Sequence, residues 1–362
     1  MTSVRRGRRG LRATAAGLAL LGLASAAVAQ DWDRARALYE QKQYREAITA
    51  FQTLVQARPE YWQAWYYVGA SQFQLERYAE TIDAFGRYLA AAGDNAREQA
   101  TGEYFLGFAH YKLQQYAEAI PHLARYIALV QKSGGRVEPA GQSALGRAYI
   151  FAERFADAVP VLSAAAAGMP GNANNYYYLG YAYRRLGRPP EAVAALKQAL
   201  AITPQDADSL LLLGDVYLQQ AREDPGAIQE AIAVGERLGA VRDDEATWGL
   251  LGQAYLADKQ FAKAAPLLDR YSRAHPESAA AWFNLGLARS RSGQWAAAAV
   301  ALEETVRLKP EQVAALLELG YVYESDRQGD KALQLYERAW EASGRQDATA
   351  RQGIDRLRRR SP

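Results

Sequence analysis

The feature that most constrains this chain is an internal repeat of about 34 residues, which runs from near Gln30 almost to the C-terminus. One copy, around Ala47, lacks a glycine that marks the other eight. A unit this short cannot bury its own apolar face, so neighbouring copies must supply the core. In the eight marked copies the glycine follows an apolar residue: Val68-Gly69, Leu106-Gly107, Leu145-Gly146, Leu179-Gly180, Leu213-Gly214, Leu251-Gly252, Leu285-Gly286 and Leu319-Gly320.

Each copy contains two stretches of roughly 12 to 15 residues in which apolar side chains recur at helical spacing. Turn residues such as those around Gly187 and Gly293 separate the two stretches. Proline cannot continue a helix, so a closing proline predicts the end of the second stretch. No segment alternates as a strand would, so the sequence predicts an all-α fold. The closing prolines are Pro59, Pro170, Pro204, Pro276 and Pro310.

This pattern resembles the tetratricopeptide repeat (TPR) family, whose consensus is W-x2-L-G-x2-Y, then A-x3-F, then P. The resemblance implies an α-solenoid of about nine helix-turn-helix repeats forming a right-handed superhelix, with a C-terminal capping helix. It places Trp282 in the core. The sixth copy departs most, because residues 220–226 replace the usual turn. One copy that follows the consensus closely contains Tyr176, Leu179-Gly180, Tyr183, Ala192, Leu196 and Pro204.

The predicted organisation has three parts: a signal peptide over residues 1–29, a repeat solenoid over 30–344, and a basic capping helix or tail over 345–362. In the last part, Ile354 and Leu357 are the candidate apolar contacts among arginines that could otherwise touch an anionic surface. The repeats are expected to start near residues 28, 62, 100, 139, 173, 207, 245, 279 and 313.

The N-terminus has the three parts of a secretory signal in order. Residues 1–12 are basic, residues 13–29 are apolar and small, and Ala27-Val28-Ala29 precedes Gln30 as a cleavage site. We expect cleavage after Ala29 and a periplasmic mature protein, with membrane contact at most peripheral. An uncleaved anchor is the alternative, and Arg8-Arg9 leaves the choice between the general and the twin-arginine export routes open.

The composition argues against catalysis and metal binding. The 43 Lys and Arg against 40 Asp and Glu give a net charge of +3, which suggests no attraction to nucleic acid. There is no cysteine, and the three histidines are far apart in the sequence. No phosphate loop, zinc motif or nucleophile elbow occurs. We therefore expect no catalytic residue, no metal and no cofactor, and we interpret His110 as a packing residue.

What remains is recognition. The resemblance implies that the first helix of each repeat lines a concave groove, where exposed aromatic residues beside arginine are typical of protein-binding surfaces. Several of these rings could instead fold down between repeats and fill the core. The predicted groove residues are Tyr66, Phe73, Tyr104, Phe108, Tyr111, Arg147, Tyr177, Tyr181 and Arg184. A wider set adds Trp32, Arg36, Tyr39, Ile150, Phe151, Arg185, Leu211, Asp215, Gln253, Leu256, Phe283, Leu287, Leu317 and Tyr321.

The sequence thus predicts a non-enzymatic scaffold or adaptor in the bacterial cell envelope, which binds a peptide or helix of a partner protein in this groove. A carbohydrate-associated module of a polysaccharide secretion system is the alternative, because aromatic faces also stack on sugar rings. Self-association through an exposed end repeat is a third hypothesis.

Overall fold

A computed structural model describes residues 30–360, and over that range the chain forms helices and turns without a strand. The predicted signal peptide, residues 1–29, and the last two residues lie outside the described residues. None of the described helices combines the length and the apolar character needed to cross a bilayer. The expected all-α fold is confirmed.

The chain divides into two compact units, residues 1–182 and 183–362, with the division inside one helix. In unit 1 the described helices are α1 (residues 30–40), α2 (Tyr44–Ala57), α3 (Ala64–Gln74), α4 (Tyr78–Ala92), α5 (Ala96–Lys112), α6 (Tyr116–Lys132), α7 (Pro139–Phe151), α8 (Phe155–Gly168) and most of α9 (Ala173–Arg185). In unit 2 they are α10 (Pro189–Ile202), α11 (Ala207–Gln220), α12 (Ala227–Val241), α13 (Glu245–Ala257), α14 (Phe261–Ala274), α15 (Ala279–Arg291), α16 (Trp295–Leu308), α17 (Val313–Ser325), α18 (Gly329–Ala342) and α19 (Ala348–Arg360).

The turn inside each helix pair has one recurrent geometry. In eight of the nine pairs within residues 30–342, the residue two positions before the second helix has a positive φ near +60°. Gly187 and Gly293 adopt it without steric cost, whereas Glu153 and the equivalent non-glycine residues adopt it against their preference. The sixth pair, α11 and α12, has a longer turn without such a residue, as its sequence predicts.

The repeated glycines allow close packing of the two helices in a pair. A Cβ on Gly146 would lie 2.5 Å from Leu162 Cγ, and one on Gly286 would lie 2.5 Å from Leu302 Cγ. Both distances are far below van der Waals contact, so only glycine permits this approach of first and second helix. The packing is the same in both units.

The ends of the second helices agree with the proline pattern. Pro59, Pro204 and Pro310 each lie two residues beyond the last helical residue of α2, α10 and α16. The expectation for Trp282 is wrong in part: the ring is half-buried and not in the core. Its indole N–H donates to the Pro276 carbonyl oxygen at 3.0 Å, which holds the ring at the edge of the repeat.

The C-terminal helix α19 covers the last repeat. Ala350, Ile354 and Leu357 are buried and pack in the cluster that contains Leu319 and Tyr336. Otherwise the apolar face of α17 and α18 would lie open, so α19 acts as the expected cap.

Candidate functional site

All nine predicted groove residues lie on first helices of their pairs, and each is half-buried. Such side chains contribute to packing while presenting part of their surface. They are distributed as Tyr66 and Phe73 on α3, Tyr104, Phe108 and Tyr111 on α5, Arg147 on α7, and Tyr177, Tyr181 and Arg184 on α9.

Tyr66 and Phe73 pack mainly between repeats. Their ring centroids lie 5.9 and 5.6 Å from that of Phe105, which itself stacks on the buried Phe85 at 4.4 Å. Burial raises the pKa of Tyr66. These two rings therefore fill space between α3 and α5, the arrangement that the sequence left open as an alternative to groove exposure.

Tyr104 lies at an apolar cleft of about 470 Å³ between α5 and α6. Tyr126 and Val130 form the opposite wall, and the Tyr126 hydroxyl accepts a hydrogen bond from the backbone N–H of Glu138 at 3.0 Å. Burial raises the pKa of Tyr104, so its phenol stays neutral at physiological pH. Both helices are 17 residues long, and the cleft lies beside their additional turns.

Five side chains from α5, α6, α7 and α9 form a continuous surface in unit 1. We call it the Arg147 cluster, and its members are Tyr111, Tyr116, Arg147, Phe151 and Tyr178. Phe151 is 44% exposed and stacks on Tyr116 with centroids 4.5 Å apart. The Phe151 ring also lies edge-on to Tyr178 at 6.1 Å. The cluster thus joins three successive repeats through their rings.

The Arg147 guanidinium lies between two of these rings. Its central carbon is 4.8 Å from the Tyr178 centroid and 5.4 Å from the Tyr111 centroid, both within cation–π range. Nη2 donates to the Tyr178 hydroxyl at 3.4 Å. Burial raises the pKa of Tyr111 to about 12, although the nearby Arg147 charge opposes the rise. The Tyr111 phenol therefore stays protonated at neutral pH.

A polar contact near Arg147 fixes the spacing of α7 and α9. The Ser143 hydroxyl donates to Asn175 Oδ1 at 2.7 Å, and Asn175 is fully buried. Ser143 precedes Arg147 by four residues, or about one helical turn, and Asn175 similarly precedes Tyr178 on α9 by three. The hydrogen bond therefore holds the two helices at the separation that brings Arg147 over the Tyr178 ring.

The predicted groove residues on α9 contact groups outside the Arg147 cluster or at its margin. Tyr177 contacts the Tyr178 ring with centroids 5.1 Å apart, and Tyr181 contacts Phe155 at 6.1 Å. In unit 2, Arg184 forms an ion pair with Asp215, and both line a cleft of about 540 Å³ with Gln253. In the part of the chain that the structure describes, Arg184 therefore has a carboxylate partner and Arg147 has none.

Sequence reasoning missed Tyr116, Tyr178 and Phe105. Tyr178 directly precedes Leu179-Gly180 and is not among the predicted groove residues. Tyr116 begins a second helix, whereas the family resemblance places the groove on first helices. A recurrent aromatic residue two places before the glycine, as in Phe105 and Tyr178, is the signal that would have identified two of the three.

A second polar group lies between α5 and α6. The buried Glu103 forms an ion pair with Arg125, whose Nε lies 3.2 Å from one carboxylate oxygen, and its other oxygen is 2.6 Å from His122 Nδ1. His110 is stacked parallel to His122 with centroids 5.5 Å apart, so folding joins histidines that are distant in sequence. No group of three or more His, Asp or Glu side chains within residues 30–360 is placed to hold a metal ion.

Solved structures with a similar fold include YrrB, a TPR protein with an unusual peptide-binding site, at 18% identity and a TM-score of 0.49. That likeness covers 54% of this chain and 97% of YrrB. MamA from Desulfovibrio magneticus RS-1, residues 41 to the end, is 25% identical with a TM-score of 0.43, covering 49% of this chain and 97% of that chain. The C2 structure of MamA from MSR-1 is 26% identical with a TM-score of 0.44, covering 48% and 98%. No curated protein sequence matches significantly.

Family models match the chain in both units. Two models described as tetratricopeptide repeat match residues 32–97 and 284–348, and residues 244–289. A third, described as TPR repeat, matches residues 180–220. Together the matches cover more than half of the chain, and they coincide with the helix pairs, glycine contacts and turns described above. The chain therefore belongs to the tetratricopeptide repeat family, a fold of protein-interaction scaffolds.

Proposed function

We propose that this protein is a non-enzymatic scaffold of the bacterial cell envelope and that the Arg147 cluster of unit 1 binds a segment of a partner protein. The observation that carries the proposal is the exposed, ring-stacked Phe151 beside the Arg147 guanidinium, which has no carboxylate partner among residues 30–360. Aromatic and arginine side chains dominate the energetics of protein interfaces, because they offer large contact areas that are already ordered.

The surface has the features that a binding site needs. Phe151 presents an apolar ring that is held in place by Tyr116, so little side-chain entropy is lost on binding. Tyr111 and Tyr178 flank the guanidinium and keep it oriented. Three repeats contribute to the cluster, which suits an extended or helical segment that lies across successive first helices.

The proposed location in the periplasm is based on the basic, apolar and small-residue order of residues 1–29. In this proposal the segment is removed after Ala29 and the repeats act in the envelope. Sequencing the N-terminus of the mature protein tests this directly. A mature chain that starts at Gln30 is the expected result, and a chain that retains residues 1–29 in the cytoplasm would contradict it.

Site-specific photocrosslinking tests the binding surface. A photoreactive phenylalanine analogue replaces Phe151 in the producing bacterium, and the same analogue replaces Tyr321 as the control. Tyr321 is also an exposed ring on a first helix, 42% exposed against 44%, but it lies in unit 2. The two positions therefore match in aromatic character and exposure and differ in surroundings.

A discrete protein adduct at position 151 but not at position 321 is the expected result, and mass spectrometry of the adduct identifies the partner. Adducts of equal intensity at both positions, or none at either, would overturn the proposal. An adduct that contains sugar in place of protein would transfer the function to the carbohydrate-associated alternative.

A further inference from the structure

The Arg147 guanidinium is incompletely satisfied. Its Nε is buried without a hydrogen-bond partner, and no Asp or Glu within residues 30–360 pairs with it. Burying part of a charge without a counter-ion costs free energy, because the interior solvates ions poorly. The rings of Tyr111 and Tyr178 compensate only in part. An incoming anion would therefore gain more here than at an arginine that is already paired.

Three other arginines show what Arg147 lacks, which is a carboxylate partner. Arg184 and Arg242 also have an Nε without a hydrogen-bond partner, yet Arg184 is paired with Asp215, and Arg242 lies 3.5 Å from Asp208. Arg291 resembles Arg147 more closely, since it lies 5.5 Å from the Tyr321 centroid, but it also binds Glu318 at 3.0 Å. Of these four, only Arg147 combines tyrosine rings with an absent carboxylate.

We infer that Arg147 binds a carboxylate of the partner segment, and specifically an aspartate or glutamate side chain within that segment. The inference rests on the proposed function of the Arg147 cluster and names the chemistry of its ligand. A carboxylate accepts paired hydrogen bonds from the planar guanidinium, and charge-assisted bonds of this kind are roughly twice as strong as neutral ones.

An internal acidic residue fits better than a chain terminus, because aromatic surface continues on both sides of Arg147. Towards α5 the aromatic surface continues to Phe108 and Tyr104, whose ring centroids are 4.6 Å apart. Towards α9 it continues through Tyr178 to Tyr177 at 5.1 Å. A segment that places its acid on Arg147 therefore has apolar surface for the residues before and after that acid.

A random dodecamer peptide library, selected on the full chain, supplies the probe. The inference predicts that enriched peptides share one Asp or Glu flanked by apolar residues. Synthetic peptides in Glu and Gln versions, each with a free or an amidated C-terminus, are then titrated against wild type, Arg147→Met, Arg291→Met and Phe151→Ala. Thermal melts check that each variant is folded.

In a double-mutant cycle, the peptide glutamate and Arg147 should be strongly coupled. Glu to Gln in the peptide should weaken binding to wild type about tenfold or more, but it should change binding to Arg147→Met little. Arg291→Met should behave like wild type, and amidation should have no effect. Raising the salt concentration should weaken the wild-type complex more than the Arg147→Met complex, since salt screens the ion pair.

The outcomes separate the inference from the proposed function. Peptides that bind, and that lose affinity in Phe151→Ala but show equal Glu and Gln affinities, would overturn the carboxylate inference and leave the binding surface in place. Loss of binding when the peptide C-terminus is amidated would contradict the internal acidic residue and would indicate that Arg147 binds a terminal carboxylate. If no peptide is enriched, or if Phe151→Ala binds as wild type does, both the proposed function and the inference fail.

Discussion

The two units share one repeat but connect their helices differently. In unit 1 most contacts between neighbouring helices that involve polar or aromatic groups are ring contacts, such as the stack of Phe85 on Phe105 at 4.4 Å. In unit 2 the corresponding contacts between helices are arginine–carboxylate pairs. Arg289 binds Asp269 at 2.6 Å between α15 and α14, and Arg356 binds Glu324 at 2.6 Å between α19 and α17.

Under the proposed function, this difference determines which unit binds a partner. An arginine that is paired within the chain, such as Arg291 with Glu318, has already satisfied its charge. Arg147 lies among rings, which orient it without neutralising it. The same helical framework therefore gives a unit stabilised by ion pairs and a unit with an unsatisfied cation on an apolar surface.

The largest expected effect follows from removing a core ring of unit 1. Phe85 is fully buried, so Phe85→Ala should reduce the local free energy of unfolding by about 3–5 kcal/mol. Hydrogen exchange followed by mass spectrometry should show faster exchange in α3, α4 and α5. Leu302→Ala is the matched change in unit 2 and should act on α15, α16 and α17. Unchanged exchange around residue 85 would contradict the assignment of the ring stack as the core of these repeats.

A second prediction concerns the close helix contact at glycine that both units share. Gly146→Ala places a methyl group 2.5 Å from Leu162 Cγ and should cost about 1–3 kcal/mol through overpacking. Gly286→Ala should cost a similar amount in unit 2. Gly86→Ala is the control: no atom lies within 4 Å of its added Cβ, so it should stabilise by about 0.5–1 kcal/mol. If denaturant titrations give the three variants the same sign, close helix approach is not the reason for the repeated glycine.

A third prediction gives Arg291 in unit 2 the surroundings that Arg147 has in unit 1. Glu318→Gln removes the partner of Arg291 and should leave that arginine beside the Tyr321 ring without a counter-ion, as Arg147 is. Because the pair is partly exposed, the cost should be about 1 kcal/mol in a denaturant titration. Arg345→Met, which removes an exposed pair with Glu341, is the control and should be close to neutral. Equal effects of the two changes would show that the Arg291–Glu318 pair adds no more to stability than an exposed pair.

The smallest expected effect is that of salt. At 1 M ionic strength the screening length is about 3 Å, against about 10 Å at 0.1 M. Exchange in α14, α15 and α17, which the ion pairs connect, should therefore accelerate slightly, while α3, α4 and α5 should be unaffected or more protected. The reverse order would contradict the contrast between ring contacts and ion pairs.

Much of the fold could be predicted because its determinants are local. The Leu145-Gly146 pair and its equivalents, together with the closing prolines, report directly on helix approach and helix ends. The irregular sixth turn was also visible in residues 220–226. Such signals depend on neighbours within one repeat, and a single sequence contains all of them.

The candidate site was predicted less completely because it depends on contacts between repeats. Sequence position put Tyr66 and Arg147 in one class, yet Tyr66 packs on Phe105 while Arg147 lies between rings of two other helices. The prediction that Trp282 lies in the core was wrong in part for the same reason, because a hydrogen bond to the Pro276 carbonyl oxygen holds its ring at the edge of the repeat. Whether a half-buried ring fills core or remains accessible is decided by the residues of the adjacent copy.

We propose that unit 1 binds the partner segment through the Arg147 cluster. The most direct test measures by calorimetry the affinity of the segment identified by crosslinking for wild type, Phe151→Ala and Tyr321→Ala. We predict a loss of about tenfold or more for Phe151→Ala and no change for Tyr321→Ala. Equal losses in the two variants, or a loss confined to Tyr321→Ala, would contradict the account.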